Sequence, residues 1–167
     1  MFGDSAAGPW MDELGDLDLP MREIGGRRAK GEPATRLRNS SVLFNDLMSL
    51  RGSVGDEKLR HGTEAVPLAM WLEAQERLEE LAGRRPRGVG VLLGAEMDHT
   101  LGVARFAIEQ AVWRRTGTSA IGAYRLANAI ERIIDEHRWL WVARCRTGGL
   151  DDSARYYEGI GEEFVDY

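Results

Sequence analysis

The chain has 167 residues, enough for one domain of ordinary size with a hydrophobic core of its own. Its 43% apolar and 29% charged residues are typical of a soluble globular protein, and no apolar run approaches the roughly 20 residues that cross a membrane. The single cysteine, Cys145, excludes an intrachain disulfide and a thiolate metal cluster within one chain. The N-terminus is acidic where a signal peptide would be basic, so we expect a cytoplasmic protein, or one assembled into a particle made there, with no membrane partner.

The net charge of −5 is concentrated toward the two ends of the chain. Residues 1–18 hold five acids and no base, residues 19–38 hold six bases and two acids, and residues 151–167 hold six acids and one base. Charge of this kind steers association and contributes little to the fold. The pattern therefore indicates that the ends of the chain meet partners.

The first 38 residues show no sustained hydrophobic period, because Gly and Pro recur and the apolar residues are scattered. This composition predicts an extended N-terminal arm that is acidic and then basic. The arm also holds large apolar residues such as Trp10 and Met21, which are unusual in a solvated linker. Two interpretations stay open, a loose tail and an arm that docks on a surface.

Residues 39–150 form the predicted helical domain, and its first helix covers the stretch NSSVLFNDLMSL. Asn39 or Ser40 can cap this helix, because a short side-chain oxygen accepts hydrogen bonds from the free amides of the first turn. The pair Arg-Gly at 51–52 ends it. A loop follows.

The second helix has the clearest pattern, with apolar residues at i, i+3 and i+4 spacing. Pro67 stands in its first turn, where a missing amide costs little, and Gly83 ends it. The apolar run at 89–94 fits a short buried strand or the start of a helix. We favour a helix, because no second strand is available to pair with it.

The third helix is predicted at roughly Asp98 to Arg115, and the fourth from Ala120 to about Arg144, with Thr118 or Ser119 as the cap between them. The fourth helix has two predicted apolar faces, one formed by Ile121, Tyr124, Ala127, Ile130, Ile134 and Trp141 and the other by Ala123, Leu126, Ile133 and Leu140. A helix with two apolar faces is either central in a bundle or part of an interface between subunits.

Together these elements predict an all-α fold, with about four main helices in a compact bundle-like domain and an extended arm at each end. The predicted units are the N-terminal arm at 1–38, the helical domain at 39–150 and an acidic, aromatic C-terminal tail at 151–167.

Metal chemistry is suggested only by Glu96 and His99, which are spaced to point at one ion. A di-iron site in a helical bundle needs this Glu-x-x-His pair twice, and Ile134 stands where a second copy ending at His137 needs a carboxylate. Cys145 has no signature of a catalytic nucleophile around it, although its reactivity stays open. We therefore predict no enzyme, no metal site and no cofactor.

Nucleic-acid binding is suggested by the segment 100–143, which has the outline of a helix-turn-helix. The candidate contact residues are Arg125 and Asn128, which are of base-reading types, and the basic patch Arg84, Arg85 and Arg87. The second helix of this outline is very apolar and long, and the chain is acidic where DNA-binding domains are usually basic. A DNA- or RNA-binding regulator is therefore an alternative.

The favoured function is a non-enzymatic protein–protein interaction or assembly subunit, for example a ring-forming or adaptor component of a viral particle or mobile element. A basic arm and an acidic tail complement each other, and between copies they would make a head-to-tail contact. The expected partners are other proteins, including copies of the chain itself. The candidate interaction residues are Arg22, Arg27, Arg28, Arg36 and Arg38 in the arm and Tyr156, Tyr157, Phe164 and Tyr167 in the tail. A second alternative is an acidic inhibitor that occupies the nucleic-acid groove of another protein.

Overall fold

The computed structural model describes residues 7–25, 41–48, 63, 65–117, 119–144 and 148–165. Over these residues it contains seven α-helices, one short 3-10 helix and no β-strand. The helices are α1 (Ala7–Gly15), α2 (Leu19–Gly25), α3 (Val42–Leu47), α4 (Leu68–Gly83), α5 (Val91–Thr116), α6 (Ala120–Arg144) and α7 (Leu150–Gly161), and the 3-10 helix is Glu162–Phe164. The all-α class expected from the sequence is confirmed.

The three long helices lie close to where the sequence predicted them. Pro67 is the N-cap of α4, with the extended backbone that proline favours just before a helix. Ser119 caps α6, because its Oγ accepts a hydrogen bond from the Gly122 amide at 3.1 Å. α5 begins at Val91 and so starts earlier than the predicted Asp98. The preference for a helix over a strand in the run 89–94 is confirmed from Val91 onward.

α3 is shorter than predicted, and its cap is a different residue. Ser41 is the N-cap, and its hydroxyl accepts a hydrogen bond from the amide of Phe44. The carboxylate of Asp18, from the turn between α1 and α2, accepts from the first two amides of α3 and from the Ser41 hydroxyl. The start of α3 is thus fixed by a distant acceptor. The predicted caps Asn39 and Ser40 lie outside the described residues.

The N-terminal segment differs from the extended arm that the sequence suggested. Its described part, residues 7–25, forms α1 and α2 and packs into the protein. The indole nitrogen of Trp10 donates a buried hydrogen bond to the Leu81 carbonyl of α4 at 2.9 Å. The apolar side chains that α1, α2 and their connection bury are Ala7, Trp10, Leu14, Leu17 and Met21. For residues 7–25, the docking interpretation is therefore the better one, and the docking surface belongs to the same chain.

The core consists of two clusters that share α5. The first brings α1, α2 and α4 against α5, around Trp71, Met97 and Ile108. The second brings α6 and α7 against another side of α5, around Phe106 and Ile130. α5 is therefore the central helix of the described fold, and α6 lies to one side of it.

The end of α5 joins the two clusters through paired charges. Arg114 contacts Glu163, whose side chain is only 2% exposed, and it also donates to the Asp46 carbonyl. Arg115 donates to the Asp46 carboxylate at 3.1 Å and stacks over the Trp71 ring at 4.6 Å. A buried carboxylate is strongly disfavoured without a cation beside it. This network therefore fixes the position of the chain around Glu163.

The C-terminal segment is also folded onto the protein over its described part. α7 packs along α6, and the predicted boundary between residues 150 and 151 falls within its first turn. Phe164 is 5% exposed and packs edge-on against Phe106 and Trp113, with ring centroids at 6.1 and 5.5 Å. The described part of the tail is thus helical rather than extended. The predicted boundary between residues 38 and 39 lies outside the described residues.

Candidate interaction surface

The exposed side of α6 carries four large apolar side chains. Ile121 is 78% exposed, Tyr124 71%, Trp139 54% and Val142 53%. At about 100° per residue, all four project from one side of the helix, opposite the side that buries Ala123, Leu126, Ile130, Ile133 and Leu140. We call this side the outer stripe of α6, and its residues are Ile121, Tyr124, Asn128, Glu131, Arg132, Asp135, Trp139 and Val142.

The sequence prediction of two apolar faces on α6 was only half right. The face predicted at Ala123, Leu126, Ile133 and Leu140 is buried, as expected. The other predicted face mixes residues from different sides, since Ile121 is exposed and Ile130 is 1% exposed. Three residues rotate about 300° around the helix axis, which is about 60° short of a full turn. Residues spaced by three therefore drift around the helix, and after three such steps they lie on its opposite side. The outer stripe was therefore missed, although its i+3 pairs stand in the sequence.

The middle of the outer stripe is charged, and its charges have no partner among the residues that the structure describes. Arg132, Glu131 and Asp135 are exposed there, with Arg125 at its edge. Over the described part of the chain, none of these four side chains has a hydrogen-bond or ion-pair partner. Two cations and two anions are thus interleaved between two apolar ends.

A groove of about 460 Å³ runs between α5 and α6 beside the outer stripe. Gly102, Phe106 and Ile133 contribute apolar surface to it. Its charged lining residues are Arg105, Arg125, Arg132, Asp98, Glu109 and Glu136. Arg105 is already bound to both carboxylate oxygens of Glu79, at 2.9 and 3.0 Å. The groove therefore presents both signs of charge and is not a basic channel.

The predicted nucleic-acid contacts are divided between engaged and exposed residues. Arg84 pairs with Glu13 at 2.8 Å, and this hydrogen bond raises the pKa of the guanidinium. Arg85 binds the Asp98 carboxylate and the Gly94 carbonyl. The remaining predicted contacts, Arg87, Arg125 and Asn128, are exposed, and the Asn128 amide donates to the Tyr124 carbonyl at 2.9 Å. Two of the three arginines in the predicted basic patch are thus neutralised or held by the chain itself.

The structure describes four of the predicted partner contacts in the two terminal segments, and three of these four are paired, half-buried or buried within the chain. Arg22 binds the Asp18 carboxylate and the Gly15 carbonyl. Tyr156 is 60% exposed, but Tyr157 is half-buried and Phe164 is in the core, so neither is placed as an exposed partner contact. The other candidates, Arg27, Arg28, Arg36, Arg38 and Tyr167, lie outside the described residues.

A cluster of aromatic and imidazole rings joins α5, α6 and α7. The Nε2 atom of His137 lies 2.8 Å from the Ser153 hydroxyl, and its ring centroid is 5.0 Å from Tyr157 and 5.8 Å from His99. Burial lowers the pKa of His137, and the nearby His99 lowers it further. Burial also raises the pKa of Tyr157. A nucleophilic site needs a group that orients the base, and in the described residues no carboxylate contacts His137. The cluster therefore packs α7 against α5 and α6.

The residues of the half metal motif have separate partners. Glu96 accepts two hydrogen bonds from Arg144, at 2.6 and 2.7 Å, and these lower the pKa of the carboxyl. The Nδ1 atom of His99 lies 3.4 Å from a carboxylate oxygen of Glu136. In the described ranges, no three His, Cys, Asp or Glu residues are arranged to hold a metal ion. Cys145 is outside those ranges.

Comparison with known proteins gives no match: no family model, no curated protein and no solved structure is similar to this chain. Among the described helices, none is both long and apolar enough to cross a membrane. A proposal for the function therefore rests on the exposed surface of the described residues.

Proposed function

We propose that this protein is a non-enzymatic interaction subunit that binds other proteins through the outer stripe of α6. The observation that carries the proposal is the alignment of Ile121, Tyr124, Trp139 and Val142 on one exposed side of one helix. Single exposed apolar residues are ordinary, but a set that shares one face marks a contact surface. Tyrosine and tryptophan are also the residues that most often dominate protein–protein binding energy.

The energetic scale supports a contact at this site. Burying a large apolar side chain completely contributes about 1.5–3 kcal/mol, so a side chain that is now half to three-quarters exposed has about 1–2 kcal/mol left to gain. The polar middle of the stripe makes the contact specific, because Glu131, Arg132 and Asp135 must meet opposite charges or stay in water. The apolar ends would supply affinity, and the middle would select the partner.

Nucleic-acid binding has less support, although Arg125 and Asn128 are exposed. The groove beside them contains as many acidic as basic side chains. Binding to phosphates requires a surplus of basic residues, and the chain as a whole is acidic, with a net charge of −5. We place the interaction subunit in the cytoplasm. A role in a viral particle or mobile element is an analogy with small assembly subunits.

Site-specific photo-cross-linking tests the proposal. A benzophenone amino acid is placed at Tyr124, at Trp139 or, as a control, at Glu76, which is exposed on α4. The full-length protein is irradiated in extracts of cells that produce it. We expect discrete protein adducts from the two outer-stripe positions and none from Glu76. The proposal is wrong if neither outer-stripe position gives an adduct, or if all three positions give the same ones. A nuclease-sensitive adduct would favour the nucleic-acid alternative.

A further inference from the structure

We draw no further inference here: the strongest candidate, the groove between α5 and α6 beside the outer stripe of α6, belongs to the surface already described, and because acidic and basic side chains line it together, nothing in the described residues shows what covers it.

Discussion

Replacing Phe164 with Ala should destabilise the whole fold, although the residue stands close to the C-terminus. Its ring is 5% exposed and meets Phe106 and Trp113 edge-on, at centroid distances of 6.1 and 5.5 Å. Substitution of a buried Phe by Ala costs about 3–5 kcal/mol through lost transfer energy and the cavity left behind. Because the 3-10 helix lies near the end of the chain and can relax into the cavity, we expect a loss of stability at the lower end of this range, about 3 kcal/mol. That is a large share of the roughly 5–15 kcal/mol by which a domain is stable.

Urea unfolding followed by circular dichroism measures this effect. With a slope of about 2 kcal/mol per molar urea, a loss of about 3 kcal/mol lowers the midpoint by about 1.5 M. Tyr156→Ala is the matched control, because Tyr156 is 60% exposed on α7 and its removal should change stability by less than about 0.5 kcal/mol. Equal midpoints for Phe164→Ala and wild type would refute the reasoning. Phe164 would then be free to act as the partner anchor that the sequence suggested.

Three further predictions follow from single sites. Acidification through about pH 6.5 should lower the free energy of unfolding, because His137 has a lowered pKa in the folded state and the unfolded state binds the proton more tightly. Urea midpoints should fall less on acidification in His137→Gln than in wild type. Asp18→Ala should cost about 2–3 kcal/mol in the same assay, since it leaves buried donors at the start of α3 without an acceptor, and a loss below about 0.5 kcal/mol would count against that role. Gly122→Ala places a methyl group 2.5 Å from the Trp113 ring and should destabilise by about 1–3 kcal/mol. Gly102→Ala, with nothing within 4 Å, should stabilise α5 by about 0.5–1 kcal/mol, so matching melting temperatures for the two variants would be inconsistent with this packing.

The sequence predicted those helices whose signals are local. α4 follows Pro67 and ends at Gly83, and α6 runs from Ala120 to Arg144, because proline, glycine and serine act within a few residues of themselves. α1 and α2 were missed because helices of 9 and 7 residues carry too few apolar positions for a period and are not stable alone. They depend on contacts with α4, such as the Trp10 hydrogen bond to the Leu81 carbonyl, that no local pattern reveals.

The candidate site was predicted only in part, for a related reason. Aromatic residues near a chain end are equally compatible with a partner contact and with the chain's own core. Phe164 belongs to the core because α7 turns it onto α5, and that turn depends on the buried pairing of Glu163 with Arg114. The outer stripe of α6, in contrast, is a periodicity that the sequence contains. It is recognised as exposed only once α5 and α7 occupy the other sides of the helix.

Long-range pairing within the chain also changes the interpretation of the acidic residues near its two ends. The sequence assigned the acids of both ends to contacts between molecules, but Glu13 pairs with Arg84, Glu158 with Arg138 and Glu163 with Arg114 inside one molecule. Charges that are satisfied within the chain contribute little to the choice of a partner, because a new contact must first break the existing pair. The charges in the middle of α6, which have no partner among the described residues, carry no such cost. For this reason a contact through the outer stripe should depend on Glu131 and Arg132 and should be insensitive to charge reversal at Glu13, which is paired with Arg84 away from α6.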